Sequence, residues 1–174
     1  MSRLFHVSDR ADIARFDPRD VTEQSGAGGQ AVWAIDETHL PNYLLPRDCP
    51  RVCFASFEKT TAGDRTRYLT SNASRVIAIE WDWFERVRTA LLYNYEFIDS
   101  TFALFDANAG YYLSREVVTP IRVYAINDLL LELEQRNIEL RVLNDLWPLH
   151  DAVATSSLEF SMIRMRNAKP RVAD

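Results

Sequence analysis

The chain has 174 residues, 47% of them hydrophobic, 11% aromatic and 26% charged, and carries a formal net charge of -5 with a pI near 5.3. That size suits one compact domain spanning 1–174 with a single sizeable core, and the composition excludes wholesale disorder. The acidic balance argues against broad, non-specific nucleic-acid binding, which needs a basic footprint.

Met1-Ser2-Arg3-Leu4-Phe5-His6 lacks the apolar run and small-residue cleavage site of a signal peptide. No stretch approaches the roughly 18 consecutive apolar residues of a membrane helix, so a cytoplasmic protein is expected. Arg3 to Ser8 reads as a first strand, and Asp9 to Phe16 as a helical turn ended by Pro18. Residues 20–30 hold three of the five glycines and predict a mobile loop, without the lysine of a P-loop or the spacing of a dinucleotide fingerprint. Ala31 to Ile35 is a second strand; Asp36 then reads as the N-cap of a short helix, Glu37 to Leu45, interrupted by Pro41. Arg51 to Phe57 predicts a strand, 58–74 a polar loop, and Arg75 to Trp81 a strand buried on both faces.

Asp82 and Glu85 resemble a capping box opening a helix through about Tyr93. Aromatic-rich segments follow at 95–98 and 102–105, with a turn at 106–110. Tyr111 to Val118 and Ile121 to Ile126 read as strands parted at Thr119-Pro120, and Asn127 caps a helix ending near Asn137. Ile138 to Val142 alternates as a half-exposed strand. Ser156-Ser157-Leu158-Glu159 predicts a helix through Arg166, although Leu158, Phe160 and Met162 also alternate as a strand would, and 169–174 reads as a frayed tail.

Cys49 and Cys53, about 13 Å apart on an extended strand, are too distant to bridge, and no second Cys/His pair offers zinc-ligand spacing. Both read as small core residues in a reducing compartment. His39 and His150 have no partner at ligand or triad spacing, and the Glu80-Trp81-Asp82-Trp83 cluster reads as a strand end plus helix cap. No nucleophile elbow or His-Glu-x-x-His is present.

Three segments carry the functional expectation. Leu4-Phe5-His6-Val7-Ser8 places a histidine on a strand, Val32-Trp33-Ala34-Ile35-Asp36 followed by Asn42-Tyr43 supplies two large rings, and Tyr112-Leu113-Ser114-Arg115-Glu116-Val117-Val118 places a glutamate on a strand. Each also has a purely structural reading: a half-buried imidazole, two core aromatics, a solvent-facing charge. The order resembles the His–Tyr–Glu pattern of ADP-ribosyltransferase-like domains, over about residues 3–126, and the whole chain resembles an uncharacterised family of bacterial proteins. Trp33 stands where that pattern has a strand Tyr, the second ring falls about one residue early, and Val7 stands where the common start has Gly.

The resemblance implies an α+β fold of two small mixed sheets forming a cleft with flanking helices. It also implies NAD as the substrate, with ADP-ribose passed to an acceptor or to water. His6 would bond a ribose hydroxyl, the backbone of Val7 and Ser8 would meet the nicotinamide amide, and Trp33 and Tyr43 would hold the ring by stacking. Glu116 would answer the developing oxocarbenium and orient the nucleophile. Arg47 and Arg51, with Arg15 and Arg19 as alternatives, would fork onto the pyrophosphate. A catalytically silent module of the same fold, binding a nucleotide or a protein, is the alternative. A tRNA 2′-phosphotransferase-like activity would need a basic cleft that the acidic pI disfavours.

Overall fold

A computed structural model describes residues 3–21 and 26–171. In chain order the elements are β1 (Arg3–Ser8), β2 (Arg19–Asp20), β3 (Gln30–Asp36), β4 (Arg51–Ala55), α1 (Ala62–Tyr68), β5 (Arg75–Glu80), α2 (Trp81–Thr89), β6 (Leu92–Ile98), β7 (Phe102–Asp106), β8 (Tyr111–Ser114), β9 (Arg122–Ile126), α3 (Leu129–Gln135), β10 (Ile138–Leu143), α4 (Trp147–Ala154) and β11 (Glu159–Ile163). The chain divides into two compact units, 1–44 with 91–126 and 45–90 with 127–174. The described residues bear out the α+β expectation, with two sheets and four α-helices among them. Among the described residues no helix is long and apolar enough to cross a membrane.

The first unit is an antiparallel sheet in the order β7-β8-β3-β1-β6-β9, with β2 beside β3. Its strands are therefore not mixed. Strand alternation sends Leu4 and His6 of β1 to the face of Val32 and Ala34 of β3, and of Tyr95 and Phe97 of β6. Phe16 and Val118 close this core from outside the strands, bridged by Phe16 N–H to Val118 O at 2.8 Å and the reverse bond at 2.9 Å. Asp9 to Phe16 forms no helical turn. Tyr95 Oη donates to Arg10 O at 2.6 Å and accepts from Ile13 N at 3.2 Å, which satisfies backbone groups that a helix would otherwise pair.

The second unit carries all four helices around a mixed sheet, β10-β5-β4-β11, in which only β10 and β5 run parallel. Buried on its core face are Val52, Phe54, Val76 and Ala78, packed with Tyr68, Leu146, Val153 and Leu158. Several expectations change here. The polar stretch 58–74 contains α1, because Thr61 caps it by accepting from Asp64 N–H at 3.2 Å and Tyr68 is drawn into the core. The predicted capping box at Asp82 does not form: α2 starts at Trp81, and the Glu85 carboxylate instead accepts both bonds of the Arg88 fork. It ends at Thr89, since β6 takes Leu92 onward. Asp128, not Asn127, caps α3, accepting from Leu131 N–H at 3.0 Å.

The predicted helix over 156–166 is the strand β11, paired with β4 from Glu159–Ala55 to Ile163–Arg51. Helical spacing lost because this pairing covers an edge that β4 would otherwise leave open. The predicted tail is anchored where it is described. Lys169 N–H faces both Glu80 carboxylate oxygens at 3.2 Å, Trp147 Nε1 donates to Lys169 O at 2.7 Å, and Arg171 forks onto Asp151 while stacking over Trp147. Residues 172–174 of that tail, and Thr22 to Ser25 of the predicted glycine-rich loop, lie outside the described residues.

In the first unit one buried charge joins strands. Glu96 is 4% exposed, accepts from Arg3 Nε at 2.7 Å and from Tyr124 Oη at 3.0 Å, and its carboxyl is held below the ordinary 4.5 chiefly by the Arg3 bond. A carboxyl titrating lower when folded adds stability that is full above its unfolded value and fades as pH falls through the folded one. Glu96→Gln should therefore melt below the wild type near pH 7, with the gap closing as the pH drops below about 4. Thermal melts over a pH series check this, and a gap independent of pH counts against the charge argument.

Candidate functional site

β1 is paired unequally on its two sides. Its ladder with β6 runs from Arg3–Ile98 to Ser8–Tyr93, whereas its ladder with β3 comprises Leu4–Asp36 and Phe5–Ile35. β3 itself continues in register with β8 back to Val32. Beyond Phe5 the two strands therefore part, and His6 crosses the notch with its side chain: Nδ1 lies 3.1 Å from the Trp33 carbonyl oxygen. That acceptor fixes the proton on Nδ1 and makes Nε2 the ring's acceptor nitrogen in the neutral form. The notch bears the strand segment on which the sequence placed His6, Val7 and Ser8.

Around His6 the geometry is closely determined. Its ring meets Phe16 edge-on at 4.9 Å, and Phe16 meets Tyr95 at 5.2 Å and Phe97 at 5.1 Å in the same manner. Ser8 is buried, its hydroxyl accepting from Arg10 N–H at 3.2 Å. Glu116 reaches this neighbourhood indirectly. The expected strand Tyr111–Val118 stops at Ser114, and Arg115 and Glu116 form an exposed bend before Val118 bridges to Phe16. Ser114 Oγ shapes the bend, accepting from Glu116 N–H at 3.2 Å and lying 3.3 Å from Glu116 O. The Phe16–Val118 bridge thus joins the bend that carries Glu116 to the ring that packs on His6.

Arg115 explains part of the adjoining glycine-rich loop. Its guanidinium donates to Ala27 O and Gly28 O at 2.6 Å and to Gln30 O at 2.8 Å. A planar fork suits several converging carbonyls.

Trp33 and Tyr43 gather on the other side. Trp33 alternates with Val32 and Ala34, so its ring points to the face opposite His6, the face of Val7. There it meets Phe105 at 5.6 Å and Tyr111 at 5.3 Å, both edge-on, and the Tyr43 and Tyr111 hydroxyls are hydrogen-bonded to each other. The two expected aromatic residues thus share a cluster through Tyr111, but not with the His6 imidazole. Arg47 and Arg51 belong to the second unit. Arg47 is exposed, and Arg51 is 2% exposed with Nη1 donating to Cys49 O at 2.8 Å and Pro46 O at 3.3 Å. Arg15 pairs with Asp17 in the first unit. Both cysteines are buried free thiols, Cys49 pushed up to about 12 and Cys53 to about 11 by desolvation, so neither ionises near neutrality.

His39 and His150, which have no partner at ligand or triad spacing in the sequence, each lie against one nearby aspartate. His150 Nδ1 lies 2.8 Å from Asp151 Oδ1. His39 is buried, with its backbone N–H donating to Asp36 Oδ1 at 2.8 Å and Nδ1 2.7 Å from the same oxygen. Asp36 is thus not the N-cap of an α-helix; it closes a turn that leads into a short 3-10 stretch, Leu40–Tyr43. Gly110 completes the corner, its carbonyl accepting from Asp36 N–H at 3.0 Å. The i, i+3 spacing of Asp36 and His39 was the available signal; Tyr111 and Phe16 carried none, since a lone aromatic in an apolar run looks the same wherever it points.

Residues 5–168 match a family of unknown function (DUF6886), and the chain belongs to it. No curated protein and no solved structure matches.

The Gly110 corner makes a direct test. Gly110 sits at φ +68, and a Cβ there would lie 2.3 Å from His39 Nδ1 and 2.7 Å from Asp36 Oδ2. Gly110→Ala should lower the melting temperature by about 5 °C or more, from left-handed strain plus displacement of the imidazole. Gly63→Ala, whose Cβ would meet open space in α1, should be neutral or stabilising. Paired thermal melts that rank the two variants the other way would remove the packing account.

Proposed function

We propose that the first unit binds NAD at the β1–β3 notch and cleaves its nicotinamide–ribose bond, passing ADP-ribose to an acceptor or to water. The observation that carries this reading is the two-position ladder between β1 and β3, which parts the strands beside Val7 and Ser8. A carboxamide needs one donor and one acceptor in a row, which is what the edge of a parted strand offers. The His6 imidazole stands at the same notch, suited to a ribose hydroxyl.

In the proposed step the C1′–N bond breaks and its electron pair leaves with nicotinamide, which departs neutral. The nucleophile's lone pair then forms the new bond to C1′, and its proton passes to Glu116. Positive charge builds on the sugar as the bond lengthens, so a fixed carboxylate lowers the barrier without having to touch the leaving group.

The second reading is a silent module that binds the same ligand. It is favoured by the exposed bend on which Glu116 sits, since a carboxylate in water contributes less field than a sheltered one.

Glu116→Gln separates the two. If the residue acts in catalysis, the NAD-induced rise in melting temperature should persist while nicotinamide release slows by roughly a hundredfold or more. Equal loss of both would make Glu116 a ground-state contact. Unchanged release would remove it from the chemistry. NAD hydrolysis at high enzyme and long incubation is the suitable assay, because it requires no acceptor.

A further inference from the structure

Two turns of the second unit are fastened to each other and carry arginines that no carboxylate answers. The first is closed by Cys49 N–H donating to Pro46 O at 2.9 Å, and the buried Arg51 stiffens it by donating from Nη1 to Pro46 O and Cys49 O. The second follows β11 and is closed by Asn167 N–H donating to Arg164 O at 2.8 Å and Ala168 N–H donating to Met165 O at 3.0 Å. Arg164 Nε donates to Arg47 O at 3.3 Å and Asn167 Nδ2 to Asp48 O at 2.8 Å, so the two turns meet although 117 positions separate Arg47 from Arg164. Arg166 lies between the two residues that make this junction. Arg164 is half-buried, and Arg47 and Arg166 are exposed. Among the described residues none of the three guanidiniums meets a carboxylate, whereas Arg88, Arg136 and Arg141 of the same unit pair with Glu85, Glu132 and Glu139. Asp48, exposed on the first turn, is the one acid of the two turns. Arg164 also sits at φ 55, in the left-handed region; Asn137, the other non-glycine residue found there among the described residues, is of a type that tolerates it. Glycine at 164 would relieve that conformation, yet a long cationic side chain stands there.

We infer that this two-turn platform is a binding site for a small phosphate-bearing anion, held by Arg47, Arg164 and Arg166. A guanidinium fork matches the oxygens of a phosphate, and Arg164, with Nε committed to Arg47 O, has both Nη groups to offer. The bonds between the turns hold both backbones before a ligand arrives, which reduces the ordering cost of binding. The charge sets the size of the ligand. Three guanidiniums against the one carboxylate of Asp48 suit a diphosphate, whereas a nucleic-acid strand needs a longer basic footprint than a chain of net charge -5 offers. The inference does not rest on the NAD reading, since all three arginines belong to the second unit.

Inorganic pyrophosphate is the probe, titrated into the full chain by calorimetry and thermal shift, with sulfate at matched ionic strength as the reference. Wild type should bind pyrophosphate more tightly than sulfate, and its melting temperature should rise with pyrophosphate concentration. Arg166→Gln, at an exposed position without a partner among the described residues, should fold as the wild type does and weaken binding about fivefold or more, the scale of one charge-assisted contact. Arg164→Gly should fold, because glycine adopts the left-handed conformation freely, and lose the pyrophosphate-induced rise. Arg88→Gln, whose partner is Glu85 on α2, should leave binding unchanged. Equal shifts with sulfate and pyrophosphate overturn the inference, as does undiminished binding in Arg166→Gln, or weakening in Arg88→Gln as large as in Arg166→Gln. An affinity for single-stranded oligonucleotides that rises with their length overturns it in favour of a nucleic-acid surface. No binding of millimolar pyrophosphate by the wild type ends it outright.

Discussion

The constraint on which the first unit depends is the unequal pairing of β1. On the β6 side every residue from Arg3 to Ser8 has a partner, which fixes the strand in place. On the β3 side the ladder has two positions, so a firmly held strand presents a parted edge. Such an edge is normally a liability, because unpaired backbone groups recruit other strands. Here the gap is spanned by a side chain: His6 Nδ1 supplies the Trp33 carbonyl with a donor, and the imidazole is in turn wedged against Phe16. Phe16 holds its position through backbone bonds to Val118 and through edge-on contacts with Tyr95 and Phe97. The rigidity of the notch comes from this aromatic nest, and the polarity from one imidazole.

The strands with clean alternation or continuous apolar runs were legible in the sequence: β1, β3, β4, β5 and β10 fall within two residues of their expected bounds. Their side-chain pattern alone identifies them, because one face or both must leave water. What was not legible depends on partners distant in the chain. β11 lies where the capping box and helical spacing over Leu158 to Met165 pointed to a helix, and the neighbouring edge of β4 decides for the strand alternation instead. α1 lies in a stretch of Thr, Gly and Asp where Thr61 caps the turn, and further support comes from Ser157, whose backbone N–H and hydroxyl both reach Asp64. Lys169 and Arg171 read as tail because nothing nearby in sequence holds them, whereas Glu80, Trp147 and Asp151 do.

The candidate site divides in the same way. Its first strand was visible, since a histidine between Phe5 and Val7 is conspicuous in any reading. Glu116 was visible as a residue but not as a conformation: the strand expected to carry it ends at Ser114, whose side chain bonds the following turn and draws the chain out of the ladder. Buried charge elsewhere shows how such groups are tolerated. Glu96 is flanked by Arg3 and Tyr124, and Arg75 by Glu159, so each has a counter-charge within 2.8 Å. Asn94, one residue pair away from Glu96, has nothing comparable for its oxygen.

The two faces of the first sheet therefore divide the proposed work. His6 faces the aromatic nest, whose Phe16 is bridged to Val118, two residues beyond Glu116. Trp33 and Val7 face the other way, where Trp33 meets the rings of Phe105 and Tyr111 edge-on. β1 parts from β3 after Phe5, and His6 closes that parting by reaching across to the Trp33 carbonyl, while the rings of His6 and Trp33 themselves stand on opposite faces of the sheet.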